Sequence, residues 1–283
     1  MAATTSTSEK KRFLTPLPKI RYLKLVKRYL WMSFRSRIEY KVSFYFEIIF
    51  QIVMLLISLL FWQVIFLKTT QFGNWTFDAV LMLHLYSQVF VAIFLVFFMG
   101  CHVFWRSVQT GTLDVYLVRP LDPRLAFLAE NIRFHGSYRL FINIIVIGAI
   151  LWFLQINVNL LIFGLTLIMV VLSVLAVGIV QLTVNCIAFW WIRSDAIDEF
   201  LDSIWEFYRY PLTVLPWAIQ FLLTVGMPIV FAATWPALFL AENINVVDYS
   251  LLISGLIFVI VCWSMLLQIF WNKGLRRYES GGG

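Results

Sequence analysis

Long apolar runs separated by short polar stretches set the pattern of this chain. Crossing a hydrocarbon core about 30 Å thick takes about 20 helical residues. Six runs meet or approach that length: 42–67, 80–104, 137–154, 160–190, 212–233 and 249–271. The third is the weakest, because its firmly apolar part starts at Leu140 and Arg139 at its edge must snorkel toward the headgroups. The fourth is longer than a crossing needs and is expected to tilt or to extend past the bilayer. Between the last two runs, residues 235–243 are too apolar for a free loop and too short to cross. They read as a short re-entrant segment before the last span.

The polar stretches carry their own periodicities. Residues 17–41 precede the first run as an amphipathic interfacial helix. Leu23, Val26, Leu30 and Phe34 share one arc, and Arg21, Lys24, Arg28 and Arg35 a neighbouring one. Residues 1–16 read as a disordered cytosolic tail without the apolar core of a signal peptide. Residues 272–283 form a second tail. In the loop 105–136, the stretch Gly111-Thr-Leu-Asp-Val-Tyr-Leu-Val-Arg-Pro-Leu-Asp-Pro123 predicts two short helices at a corner. Thr112 is placed to cap the first, with Asp114 in its first turn, and Pro120 to stop it. Asp122 is placed to cap the second, with Pro123 at its first position. Leu113, Tyr116 and Leu117 then give the first helix one apolar face, making either a rigid knob or an interfacial helix. The loop 191–211 is acidic, with Asp198, Asp202 and Glu206 on one helical face and Ile197, Leu201, Ile204, Trp205 and Tyr208 opposite. That face is either simply solvated or paired with the basic N-terminal helix of its own or a neighbouring subunit.

Composition sharpens the class. The chain is 61% hydrophobic and 13% charged, against about 25% charged in a soluble domain. It is therefore expected to be an all-α polytopic membrane protein with one membrane domain, 42–271. Of its 22 Lys and Arg residues, 21 fall in the two terminal tails, at the edge of the third run (Arg139) or in the loops 105–136 and 191–211; the exception is Lys68. The positive-inside bias makes that side cytoplasmic, with both termini inside a cell membrane. The basic balance thus reflects topology rather than nucleic-acid binding.

Within the spans, polar residues are costly and mark a path or helix-to-helix hydrogen bonds. Glu47 and Gln51 share a face in the first span, His84 and Gln88 in the second, and Gln181 and Asn185 in the fourth. Each pair fits either role. Trp62, Trp105, Trp190, Trp191 and Trp271 at span ends fit aromatic belts. Cys101, Cys186 and Cys262 sit in apolar runs without pairing or metal spacing, so no metal site is expected. The chain has no G-x-x-x-x-G-K-[ST], H-E-x-x-H or G-x-S-x-G motif and no evident pair of broken helices. No catalytic residue is assigned, and energy for any transport must come from a partner.

Taken in order, these parts resemble the permease subunit of type-2 ATP-binding-cassette exporters, within a family once classed only as a domain of unknown function. The resemblance is carried by Gly111-Thr-Leu-Asp and Leu117-Val-Arg-Pro-Leu121, supported by Tyr210-Pro211, Met227-Pro228 and Trp235-Pro-Ala237. It implies that the loop after the second span is a coupling helix docking on a separate cytosolic ATPase. Gly111, Leu113, Asp114, Leu117, Arg119, Pro120 and Leu121 would be the docking residues, and Glu47, Gln51, His84, Gln88, Gln181 and Asn185 would line the translocation path. It further implies a second permease subunit, identical or paralogous, lipid around both, and ATP with Mg held in the partner rather than in this chain. The implied function is efflux of a drug, peptide or lipid-like substrate. An importer subunit and a membrane-embedded enzyme using Glu47 and His84 are the alternatives.

Overall fold

The structure, a computed structural model, describes residues 19–39, 41–119, 121–133, 137–153, 160–191, 195–242 and 246–279. Apart from an isolated bridge between Phe72 and Trp75, its regular elements are helical. Helix α1 (Lys19–Glu39) leads into α2 (Lys41–Phe66) and, after a tight loop, α3 (Phe77–Phe97). A 3-10 turn (Met99–Val103) opens a compact group of α4 (Phe104–Gln109), α5 (Asp114–Leu117) and α6 (Pro123–Glu130). Then come α7 (Ser137–Phe153), α8 (Leu160–Asn185) with a 3-10 extension to Phe189, and α9 (Asp195–Trp205). The remainder is α10 (Trp217–Phe221) continuing as a π turn to Gly226, α11 (Thr234–Glu242) and α12 (Val246–Arg277).

Among the described residues, four helices are long and apolar enough to cross a membrane: Phe44–Phe66, Phe77–Phe97, Leu161–Phe189 and Val247–Arg277. They match the first, second, fourth and sixth expected spans. Two shorter apolar helices, Ser137–Trp152 and Trp217–Gly226, lie within the third and fifth. The fifth, 212–233, is not one continuous helix. Pro216, Gly226 and Pro228 punctuate it, and residues 227–233 between α10 and α11 are non-helical. A helix does occupy the expected re-entrant stretch, as α11.

Helix α3 is the axis. Thr76 caps it by accepting a hydrogen bond from the Ala79 N–H at 3.4 Å, and Asp78 suits the positive end. In its apolar stretch 78% of residues are buried, against 17% in α2 and in α12. Phe90 and Phe94 lie at the centre, packed by α7, α8, α11 and α9. Helices α8 and α12 run parallel, Met169 and Ala176 grouping with Tyr249 and Leu256 while Phe189 meets Trp271 at the far end. In lipid such contacts hold by close packing rather than by exclusion of water. Trp62 and Trp271, expected in interfacial belts, are instead 4% and 3% exposed, because each fills an aromatic cluster inside the fold.

The acidic segment departs most from expectation. At one end the Asp202 carboxylate lies 3.5 Å from His102 Nδ1, in the turn beyond α3. One turn on, the Trp205 ring packs edge-on to Phe94 at 4.2 Å and tilted on Phe90 at 5.5 Å. Tyr208, Arg209 and Tyr210 then share a void with His84. Finally Thr213 Oγ1 accepts a 2.7 Å hydrogen bond from Trp75 Nε1–H in the α2–α3 loop. Residues 202–213 thus follow α3 from beyond its last turn to before its first. On the acidic face, Asp202 lies beside His102, and Glu206 pairs with Arg209 at 3.1 Å.

Candidate functional site

Two features collect the chemistry, a rigid knob formed by α4–α6 and a polar groove beside α2 and α3. The knob begins where α4 ends. Gly111 has φ 72°, a left-handed value that glycine adopts without strain, and it reverses the chain. The Leu113 N–H then donates to Ser107 O at 3.1 Å. The turn also redirects Thr112: its hydroxyl donates to Ser107 O at 3.3 Å, so it does not cap α5, whose start has no side-chain cap. Helix α5 is a single turn. Leu113 is fully buried and Tyr116 nearly so, among Phe104, Phe127 and Trp271. Each such side chain removed from water stabilises the knob by about 1.5–3 kcal/mol.

Helix α6 starts as the sequence predicts. Asp122 Oδ1 accepts from the N–H groups of Arg124 at 2.9 Å and Leu125 at 3.4 Å, with Pro123 in the first turn. The Arg124 guanidinium returns two bonds to the same carboxylate, donates to Gln268 Oε1 at 2.8 Å and lies over the Trp271 ring at 5.7 Å. Burial opposes ionisation of Asp122, but the bonds and charge of Arg124 outweigh it and hold the carboxyl below its ordinary range. Farther along, Arg119 Nη1 donates to Glu130 Oε2 at 2.6 Å, and the Tyr29 hydroxyl of α1 donates to the same oxygen at 3.3 Å. Val26, Tyr29 and Leu30 pack on Ala129 and Ile132 beneath. Burial, then the Asp114 carboxylate, push the Tyr278 hydroxyl just past α12 up to about 12. The knob is therefore bound to α1, α8 and α12 at once.

The docking residues implied by resemblance are placed unevenly. Leu113 faces the core and Arg119 is held by Glu130, while Gly111, Asp114, Leu117 and Leu121 are half-buried. Pro120 lies outside the described residues. The outward surface belongs instead to Val115 and Val118, 50% and 81% exposed. The signal was available in the sequence, since both lie off the Leu113–Tyr116–Leu117 arc.

The groove is a void of about 420 Å³ between α2, α3 and residues 208–210. Gln51, His84 and Gln88 line it together, as does Ser58. The Ser58 hydroxyl donates to Leu55 O at 2.7 Å and meets His84 Nε2 at 2.8 Å. Glu47 lies one turn from Gln51 and is half-buried. Arg139 and Arg209 also line the void, and sequence reading had placed them at a span edge and in a loop. Gln181 and Asn185 stand apart, near the knob. The Asn185 amide donates to Gln181 O at 3.0 Å, and Gln181 Nε2 lies 3.5 Å from His102 Nδ1. An Nδ1–H would donate to Asp202, and a bare Nδ1 would accept from Gln181. A second void of about 600 Å³, lined by His102, Asp202, Glu206 and Arg133, shares Arg139 and Tyr208 with the first. Among the described residues no group of His, Cys, Asp and Glu could hold a metal ion, and none of the three cysteines forms a disulfide.

No curated protein and no solved structure matches the chain. The model of one protein family, described as ABC-2 family transporter protein, matches residues 52–282, most of the chain including the knob and nearly all of the groove. The chain belongs to this family and is accordingly a membrane permease subunit of an ABC transporter, the partner of an ABC ATPase subunit.

Proposed function

We propose that this permease is an exporter subunit, moving a drug, peptide or lipid-like substrate outward across the cell membrane with energy from ATP and Mg held in the partner. The knob carries the reading. It is a folded aqueous element whose apolar tip, Val115 and Val118, has no neighbour to cover it, while its base is tied to three long helices. Motion of an ATPase beneath it would pass to α1 through Glu130, to α12 through Arg124, and to α8 through the Phe189 cluster. Leu113, Arg119 and Glu130 hold the knob's shape in this reading, and Val115, Val118 and the edge of Leu117 make the contact. Positive charge at the knob end puts that end in the cytoplasm with both termini. A second permease copy faces the first across the groove side.

The fifth crossing in this reading is 195–214 rather than 212–233. Its contacts follow α3 from His102 to Trp75, which keeps the number of crossings at six. α10 and α11 then form a re-entrant pair, joined by residues 227–233, before α12.

The test is co-purification with the ATPase. Val118→Asp places a charge on an exposed tip and should leave the fold intact. Losing about 1.4 kcal/mol of contact energy lowers affinity tenfold, so ATPase recovery should fall by at least that factor. Undiminished recovery with Val115→Asp and Val118→Asp combined would remove the knob from the interface.

A further inference from the structure

We propose that the groove beside α2 and α3 binds the anionic head of an amphiphile, phosphate, sulfonate or carboxylate, and that Arg139 recognises it. This deepens the permease reading and rests on it.

Arg139 opens α7, with its neighbour Tyr138 packed edge-on to Phe44 of α2. Its side chain lines both voids. Its Nε is buried without a hydrogen-bond partner, and no salt bridge is formed by its guanidinium among the described residues. The side chain as a whole is half-buried, so its remaining N–H groups face the voids, where an anion would complete them. Arg119, Arg124 and Arg209, by contrast, each hold a carboxylate.

The surroundings define the ligand. No Asp or Glu lines the first void among the described residues. Gln51 and Gln88 offer amide N–H donors, and Arg209, although paired with Glu206, adds a second guanidinium to the lining. Planar guanidinium groups and amide donors suit oxygen-rich anions. One wall is apolar, formed by Phe50, Met54, Ile57 and Phe61 of α2, whose exposed face continues beyond the void. A free inorganic anion would have no use for that wall. A chain attached to the anion would lie along it while the head sat between Arg139 and Arg209. The second void differs, since Asp202 and Glu206 line it and would repel an anion. The head is therefore assigned to the Gln51–Gln88 side of Arg139.

The experiment uses the permease–ATPase complex in nanodiscs of uncharged-headgroup glycolipid, with radiolabelled dodecyl phosphate as probe. Saturable binding is expected for the wild type and not for dodecyltrimethylammonium. Arg139→Gln should weaken it by about tenfold or more, the cost of one charge-assisted contact. Arg139→Lys, which keeps the charge but not the planar fork, should recover only part of that loss, and Arg133→Gln, in the second void only, should match the wild type. A non-hydrolysable ATP analogue should lower binding, as a site exposed alternately to the two sides requires. Absence of saturable binding, or equal affinity in Arg139→Gln, overturns the proposal. So does displacement by inorganic phosphate alone, which would mark a soluble anion, or indifference to the nucleotide, which would mark a structural lipid seat. ATPase recovery is measured on the same preparations. If the ATPase is absent from the wild-type complex, it is the permease reading that fails, whatever the probe does.

Discussion

Thiol labelling at Val214 separates the two readings of the fifth crossing. By hydropathy Val214 stands at the start of a span 212–233, at the same membrane face as the knob. By contact it stands at the opposite face, beside Thr213 and the Trp75 loop. The distance can be worked from the elements laid end to end. The 11 residues of α9 rise about 16 Å and the four of the following 3-10 turn about 8 Å. Tyr210 and Pro211, both extended, add about 7 Å, and the three-residue turn 212–214 about 6 Å. The sum of about 37 Å exceeds the roughly 30 Å of a hydrocarbon core. In a cysteine-free background, Val214→Cys is compared with Asn74→Cys in the α2–α3 loop and with Thr110→Cys and Glu199→Cys near the knob, using a membrane-impermeant maleimide on sealed vesicles. All four positions are exposed, and a thiol held in hydrocarbon would react slower by on the order of tenfold or more, lacking thiolate. Val214→Cys is expected to label from the Asn74 side. Labelling from the Thr110 side, or protection from both, would refute the crossing at 195–214.

Two further outcomes follow from packing and charge. A Cβ on Gly178 of α8 would collide with the Phe98 ring, which stacks on Phe94 at 5.7 Å. Gly178→Ala should therefore cost about 1–3 kcal/mol, seen as a lower thermal midpoint of the solubilised complex, whereas Gly148→Ala in open space should not move it. Asp122 has a folded-state pKa below its ordinary 3.8. Its contribution is complete above that ordinary value and is lost only as pH falls through the lower folded one. The protection of the Arg124 and Leu125 amides, their exchange taken relative to the intrinsic rate at each pH, should stay unchanged from neutral pH down to about pH 5. Protection that is lost above that point would mean the Arg124 pairing is absent in solution.

The long helices were legible because a membrane selects on mean hydropathy. The helix Lys41–Phe66 sits within a residue of the expected 42–67, and Leu160–Phe189 nearly coincides with 160–190. The α6 start was legible because Asp-Pro carries its own cap and its own φ. The segment 195–214 was not, since five carboxylates and an arginine depress its hydropathy below that of a crossing. What survived was periodicity: Leu201, Ile204, Trp205 and Tyr208 are the residues that pack into the cores around α3. The groove was half legible. Gln51, His84 and Gln88 stand out against apolar neighbours. Arg139 and Arg209 were read as edge and loop charges, because linear position does not reveal which void a long side chain reaches.

The Ser58–His84 contact bears on how the chain is made. Helix α3 owes most of its burial to α7, α8 and α11, all synthesised after it. Until they arrive, an imidazole near its middle would face lipid alone. The Ser58 proton is committed to Leu55 O, leaving the oxygen of this residue, in the helix just before α3, to accept from His84 Nε2–H. Phe66 against Phe77 and Trp62 against Phe72 close the same pair at its loop. The first two spans thus satisfy the His84 imidazole between themselves, which equips them to leave the insertion machinery together as a hairpin and wait in the bilayer for the rest of the chain.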